Sequence, residues 1–241
     1  MKYVAIRMSG VFQSYGLDRG PNKPSLNHPT FSSLVGMVMS ANGLNINDDS
    51  ELKRVTTGIR YCEAFVYGNS QKVIDYQNVG GGHDLGNPYD ACMVAPMRDG
   101  KKPGADFVNL QTHREYLSDA DFGVILGFAA GYDYLIEGIK NPQQQVFLGK
   151  KCCIPSRELF IGEYDDYEST VSGLMSSITS SYKENREFLR ERTLSQRIKY
   201  LVSGDSVCGK DDVVSSVIDF PLSFRAFSYA QLSRHILAVH Q

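Results

Sequence analysis

Between Gly80 and Gly104 the chain carries six glycines and three prolines and loses all hydrophobic periodicity. No packed helix or central strand tolerates that density, because glycine costs backbone entropy and proline removes a hydrogen-bond donor. The stretch is also far longer than an ordinary connection in a compact domain, which runs to about 4–6 residues. It reads as a functional arm or a disordered insert.

On the N-terminal side, residues 3–9 alternate, with Val4, Ile6 and Met8 on one face and Ala5 and Arg7 on the other, as in a half-buried strand. Thr30 is a candidate N-cap for a helix whose Phe31, Leu34, Val35 and Val38 recur at helical spacing. Small residues (Ser32, Ser33, Gly36, Ser40, Ala41) stud that helix and permit close approach to its backbone. Asn42-Gly43 and Asn47 to Ser50 end it and can cap a short second helix. Strands are expected at about 58–67 and 71–79, joined by a hairpin turn at Gly68-Asn69. Beyond the arm, Phe122–Phe128 has strand character. Residues 131–140 then form a helix stopped by Asn141-Pro142.

The order is β-α-β-β-(arm)-β-α, which with one antiparallel sheet makes an α+β sandwich of the RRM or ferredoxin-like type. Residues 1–150 are read as this RRM-like domain. Residues 151–241 are read as a β-rich C-terminal extension packed on the same domain, with short strands at about 159–163, 197–203 and 213–220. One charged helix is expected near 182–193, while Asp48-Asp49 and Asp165-Asp166 read as turns.

Composition narrows the function classes. The 241 residues hold 25 Lys+Arg against 27 Asp+Glu, so the chain is no bulk polycation that coats nucleic acid by charge alone. No apolar run approaches the roughly 20 residues that span a bilayer. The first residues read as a strand, not a signal peptide. Five cysteines without CxxC spacing suggest neither a disulfide framework nor a zinc ribbon, and a reducing, cytoplasmic setting is the default. No metal or cofactor is implied.

Three constellations can carry chemistry. Gly149-Lys150-Lys151, within Phe147 to Pro155, offers backbone N–H groups and two cations to phosphate oxygens; it lacks P-loop spacing, and the bland alternative is a solvated basic turn. Gln111 to Leu117 carries His113, Arg114 and Tyr116, able to stack on bases or fork onto phosphate, the alternative being an exposed edge strand. Ser9 to Gly16 presents Gln13 and Tyr15 in what is otherwise a plain strand-to-loop turn.

Together these blocks resemble a known family. Arg7-Met8-Ser9-Gly10, Gln13-Ser14-Tyr15-Gly16, Pro29-Thr30, Gln111 to Ala120, Phe147 to Cys153 and Asp219-Phe220-Pro221-Leu222-Ser223-Phe224 occur in the order seen in the Cas-five (CasD) family. That family supplies a subunit of the type I-E CRISPR surveillance complex, Cascade. The resemblance implies an RRM-like domain with a protruding β-hairpin thumb, here at about 76–117. It also implies a non-catalytic protein that caps the 5′ handle of the CRISPR RNA. Its neighbours would be the repeated backbone subunit (Cas-seven, CasC) and the large subunit (CasA), with target DNA met through the assembled complex. Base pairing reads the target, so the protein needs only backbone, shape and handle contacts.

The resemblance carries RNA contact onto Gln13, Tyr15, Thr30, Ser32, Ser33, His113, Arg114, Tyr116, Gly149, Lys150 and Lys151. The helix start at Thr30 would add N–H groups and a dipole for a phosphate. There are departures: Tyr15 and His113 stand where the family commonly has Trp, Phe31 where it has Arg, and the two lysines where it has arginines. The alternative, from type I-C relatives, is a metal-independent endoribonuclease that cuts the CRISPR repeat, with His113 and a lysine as its candidates.

Overall fold

A computed structural model describes residues 1–16, 22–67, 70–79, 110–184, 194–202, 213–226 and 228–237. The chain opens with strand β1 (Lys2–Ser9), short strands β2 (Phe12–Gln13) and β3 (Asn22–Lys23), and helices α1 (Phe31–Ala41) and α2 (Asp49–Gly58). Strands β4 (Ile59–Tyr67), β5 (Gln71–Val79), β6 (Leu110–Ser118) and β7 (Asp121–Phe128) follow, then α3 (Asp133–Lys140), β8 (Phe160–Tyr164) and α4 (Tyr167–Glu184). The last strands are β9 (Leu194–Tyr200), β10 (Val213–Ser223) and β11 (Ser228–Leu237).

The main sheet has seven strands in the order β10-β11-β9-β4-β7-β1-β8. Its inner part, β4-β7-β1-β8, with α1 and α3 as crossovers, is the ferredoxin-like arrangement expected from the sequence. The fourth strand, β8, comes from beyond residue 150 and pairs with β1.

Strand β1 is buried on both faces, which the alternation of Val4 to Met8 did not suggest. Val4, Ile6 and Met8 join Leu34, Val38, Leu52, Leu135 and Ile139 in the core under α1, α2 and α3. Ala5, Phe65 and Ile125 on the opposite face pack on Leu174 and Ile178 of α4. In β7, a Cβ at Gly123 would lie 2.8 Å from the Leu174 side chain, so glycine here admits the helix. Asp165-Asp166 is therefore more than a turn, since Asp166 accepts the Ser169 N–H at 2.8 Å in the first turn of α4. The helix expected near 182–193 overlaps only the last turn of α4; residues 185–193 lie outside the described residues.

With both faces covered, Arg7 is sealed in at 5% exposure. It forks onto Asp121, Nε to Oδ1 at 3.1 Å and a terminal nitrogen to Oδ2 at 2.6 Å.

The expected hairpin between the strands at 58–67 and 71–79 does not form. Both edges of β4 are taken, by β7 and β9, so β5 has no place beside it. The turn residues Gly68 and Asn69 lie outside the described residues. Instead β5 pairs antiparallel with β6, from Gln71 opposite Ser118 to Val79 opposite Leu110. This hairpin stem carries the arm, whose residues 80–109 are outside the described set, and begins at Gln71, earlier than the expected 76. Strands β2 and β3 also pair with β6, so β6 is interior to its own small sheet and not an edge. At the C-terminal end, β10 runs back over α1, where Phe220 stacks on Phe31 with ring centroids 5.7 Å apart.

Candidate nucleic-acid interface

The turn after β1 is built inward. Gln13 is fully buried, and its Nε2 donates to the carbonyls of Met8 at 3.1 Å and Ala120 at 2.7 Å. Its Oε1 accepts the Tyr15 hydroxyl at 2.5 Å. Tyr15 is 1% exposed and meets Phe122 edge-on at 5.9 Å, and burial holds its phenol well above the ordinary range. These side chains satisfy one another and tie the first turn to the β6–β7 connection. Both side chains are turned into the core and present neither a ring face nor an amide at the surface, in contrast to the contact expected of them.

The start of α1 is likewise closed. Thr30 is the N-cap, as expected, with Ser33 N–H donating to its Oγ1 at 3.2 Å and its own N–H donating to Ser33 Oγ at 3.1 Å. The other N-terminal donors belong to Asp219, which accepts Phe31 N–H at 2.5 Å and Ser32 N–H at 3.1 Å, and also the Ser32 hydroxyl. The helix start does hold an anion, but the anion is the protein's own carboxylate, supplied by β10. Asp219 is 1% exposed, and burial raises its carboxyl above the ordinary range despite those hydrogen bonds. Thr30, Ser32 and Ser33 thus have their N–H groups engaged and offer a phosphate none of them. Phe31, standing where the family has an arginine, is a core residue.

The third turn opens outward. Leu148 N–H donates to Cys153 O at 2.8 Å and Cys153 N–H to Lys150 O at 2.9 Å, closing a tight loop. That loop is fastened to the first turn by Ser14 N–H to Leu148 O at 3.2 Å. Gly149 has φ of +89°, and a Cβ there would fall 1.9 Å from the Ser14 carbonyl oxygen, so only glycine fits. The loop sets the Lys150 ammonium 4.6 Å from the centroid of the Tyr116 ring. Tyr116 also meets Phe12 edge-on at 6.0 Å, and its hydroxyl lies 3.7 Å from the Cys152 sulfur. Burial first, and then that thiol, raise the Tyr116 phenol. Lys151 and Cys152 are exposed.

Strand alternation divides the residues of β6. Arg114 and Tyr116 share the face on which Lys150 sits. His113 points the other way, its ring tilted against that of its cross-strand partner Tyr76 with centroids 5.1 Å apart. Glu115, on the His113 face, pairs with Lys72 at 2.9 Å and accepts Ser25 N–H at 3.0 Å; the Lys72 bond holds its carboxyl below the usual range. Arg114 is half-buried, and its Nε has no hydrogen-bond partner among the described residues.

A groove of about 260 Å³ crosses this end of the molecule. Six of the expected residues line it: Tyr15, Thr30, Ser32, Ser33, Gly149 and Lys150. Lys151 lines the adjoining groove, Arg114 and Tyr116 flank Lys150, Gln13 lies in the core and His113 faces away. Phe224 and Tyr229, which also line the groove, and Asp219 beneath it were not among the expected contact residues. Asp219 and Phe224 sit in the Asp219-to-Phe224 block, whose distinctive composition was the available signal. Among the described residues no group of three His, Cys, Asp or Glu side chains is placed to hold a metal.

The family model described as CRISPR-associated protein (Cas_Cas5) matches residues 3–178, a span that contains the ferredoxin-like unit, the hairpin stem and the 147–153 loop. The chain belongs to the Cas5 family. Among curated proteins, the CRISPR system Cascade subunit CasD of Escherichia coli (strain K12) is 24% identical over 165 residues, covering 66% of this chain and 70% of that one. The Cas5 fold recurs in solved structures. A chain of a CRISPR RNA-guided surveillance complex superposes with a TM-score of 0.62 at 21% identity, covering 98% of this chain and 89% of its own. A structure described as that of a Cas protein gives 0.60 at 19% identity, covering 98% and 95%.

Proposed function

We propose that this Cas5-family chain is a non-catalytic, CRISPR RNA-binding subunit of a type I-E Cascade complex that caps the 5′ handle of the guide. In that reading it joins the backbone subunit (CasC) and the large subunit (CasA), and it meets target DNA only through the assembled particle in the cytoplasm. The observation that carries the reading is the cluster of Lys150, Tyr116 and Arg114 beside one groove, with Lys151 lining the groove that adjoins it. Cations beside an aromatic ring are what a single strand's phosphates and splayed bases require. The near-zero net charge fits a subunit that grips a short handle and devotes its other faces to protein neighbours.

The nuclease alternative finds less support. A metal-free cut needs an acid and a base around one scissile phosphate. His113 and Lys150 lie on opposite faces of β6, and the His113 ring packs against Tyr76.

The test is purification of the complex carrying Lys150→Glu with Lys151→Glu. Guide retention should fall at least tenfold, and the log–log salt dependence of binding should flatten by about 0.7 for each phosphate that is no longer neutralised. Unchanged retention would overturn the assignment of this face. Incubating the lone protein with repeat RNA in EDTA tests the other half of the reading. Specific cleavage that disappears in His113→Ala would make the protein an enzyme.

A further inference from the structure

The Phe147–Cys153 turn ends in two consecutive cysteines whose surroundings differ. Cys152 is exposed, with its Sγ 3.7 Å from the Tyr116 hydroxyl. Cys153 is buried in the main core, and its thiol lies within hydrogen-bonding reach of the Cys152 sulfur. Cys62 is fully buried elsewhere in that core, so among the described residues Cys152 is the thiol that a solute can reach. Susceptibility to oxidants follows exposure and thiolate character, and an exposed thiol backed by a second is the arrangement in which an oxidised sulfur is resolved.

We propose that Cys152 and Cys153 are a peroxide-responsive thiol pair in which Cys152 takes the first oxidation, Cys153 resolves it to a disulfide between neighbours, and the altered turn releases Lys150 from its seat. A peroxide gives one oxygen to Cys152 Sγ; its O–O bond breaks, the remainder leaves as an alcohol or water, and a sulfenic acid results. Cys153 Sγ then attacks that sulfur. The S–S bond forms, the S–O bond breaks, and the hydroxyl departs as water with the Cys153 proton. Two thiols are oxidised and one peroxide is reduced. Burial, and then the Cys152 thiol beside it, push the Cys153 thiol up to about 12, while the Lys150 charge pulls the other way. Cys153 is therefore not the thiol that meets the oxidant, and adjacency to Cys152 compensates for its low thiolate fraction in the second step.

Adjacency also makes the product a lever. Consecutive Cα atoms stand about 3.8 Å apart, below the roughly 4.4–6.8 Å of a relaxed disulfide. The small ring must therefore twist the peptide that joins the two cysteines. The N–H of that peptide is the one Cys153 donates to Lys150 O at 2.9 Å, and the Cys153 carbonyl beside it accepts Leu148 N–H at 2.8 Å. Drawing Cys152 Sγ toward Cys153 also takes it from Tyr116, the ring under the Lys150 ammonium. Oxidation thus loosens the turn and the ring that together place Lys150. A strained, exposed disulfide is readily reduced again, as reversible control requires. The chemistry of the pair stands by itself; its consequence for the guide rests on the guide-binding reading given above.

The test uses the assembled complex carrying Cys92→Ser and Cys208→Ser, which keeps other pairings out. Brief treatment with hydrogen peroxide should make the peptide holding residues 152 and 153 lighter by two hydrogen atoms, and guide retention should fall a few-fold. Dithiothreitol should reverse both. Adding Cys153→Ser should stop the reaction at the sulfenic acid, heavier by one oxygen and captured by dimedone. Adding Cys152→Ser, at an exposed site, should give neither product and hold the guide through the treatment. An unchanged peptide, or an equal loss of guide in Cys152→Ser, overturns the switch, and so does a disulfide that forms without loss of guide. If Lys150→Glu with Lys151→Glu still sheds guide in that last case, the guide-binding reading stands. If that pair is also silent, the reading falls as well.

Discussion

Two turns lie against each other at the same end of this protein, and they use similar residue types to opposite ends. The Ser9–Gly16 turn buries Gln13, Ser14 and Tyr15 at 2% exposure or less, with their polar atoms paired inside the protein. The Phe147–Cys153 turn exposes Lys151 and Cys152 and lays the Lys150 ammonium, itself shielded from solvent, over the Tyr116 ring. Each depends on the other: Ser14 N–H holds Leu148, and Gly149 exists as glycine because the Ser14 carbonyl leaves no room. A hydrogen-bonding side chain in a loop therefore says nothing by itself about whether it touches a ligand or builds the support for one. Damage to the sealed turn should appear as lost stability, and damage to the open one as lost binding at unchanged stability.

The largest expected effect is on the sealed side. Arg7→Ala would strand Asp121, 4% exposed, without its bidentate partner. Breaking a buried ion pair by removing one partner costs about 3–5 kcal/mol, read as a drop in denaturation midpoint. A loss below about 1 kcal/mol would mean that water reaches the pair.

Next is a pH effect from the same interior. His28 is 7% exposed, with Nε2 accepting from Arg234 at 2.7 Å and Nδ1 close to Pro29 O at 2.9 Å and Tyr200 OH at 3.0 Å. Burial, with Arg234 adding to it, lowers its pKa to about 4. The unfolded chain takes up this proton first as pH falls, so the stability held above pH 6.5 drains away between about 6.5 and 4, on the order of 3 kcal/mol. Asp219 acts in the opposite sense, because burial raises its carboxyl and disfavours the folded anion as pH rises. Comparing wild type with His28→Gln at pH 7 and pH 4.5 isolates the histidine, and equal pH dependence in the two proteins would refute it. Guide contacts on the open turn should not follow this profile.

Asp219→Ala ranks third. It would orphan two buried N–H groups at the start of α1, at about 2 kcal/mol. It also sharpens the comparison, since the emptied helix start would then be free to take an external phosphate. Stability partly restored by inorganic phosphate in the variant and not in wild type would show that the carboxylate occupies an anion seat.

How much of this was legible follows from the physics of each element. Strands β1, β4 and β7, the Thr30 cap and the stop at Asn141 lie in short windows of strong pattern, and the structure has them close to where the sequence puts them. Helix α4 escapes a reading by pattern because in its sequence, YESTVSGLMSSITSSYKE, the fully buried apolar side chains among the described residues are just Leu174 and Ile178, set among many serines. Strand β10 runs past the expected end at 220 because Pro221, which breaks the pattern, is accommodated with register shifts on either side. The opposed faces of His113 and Arg114 were readable from alternation alone. Asp219 was not, since 188 residues separate it from the Phe31 N–H group it accepts.

The smallest effect tests the open turn most directly. Lys150 sits 4.6 Å from the Tyr116 ring centroid with its ammonium nitrogen shielded from solvent, an arrangement worth about 1–2 kcal/mol. Tyr116→Phe keeps the ring and gives up only the hydroxyl's approach to Cys152. Tyr116→Leu keeps much of the apolar bulk against Phe12 and removes the π face. If the ring holds the lysine ready for a phosphate, the Phe variant should retain guide RNA like wild type, and the Leu variant should lose a few-fold at unchanged melting temperature. Equal retention in both would reduce the ring to packing and leave Lys150 to act as an unguided charge. Loss in both would move the function to the hydroxyl, and with it to the Cys152 side of the loop.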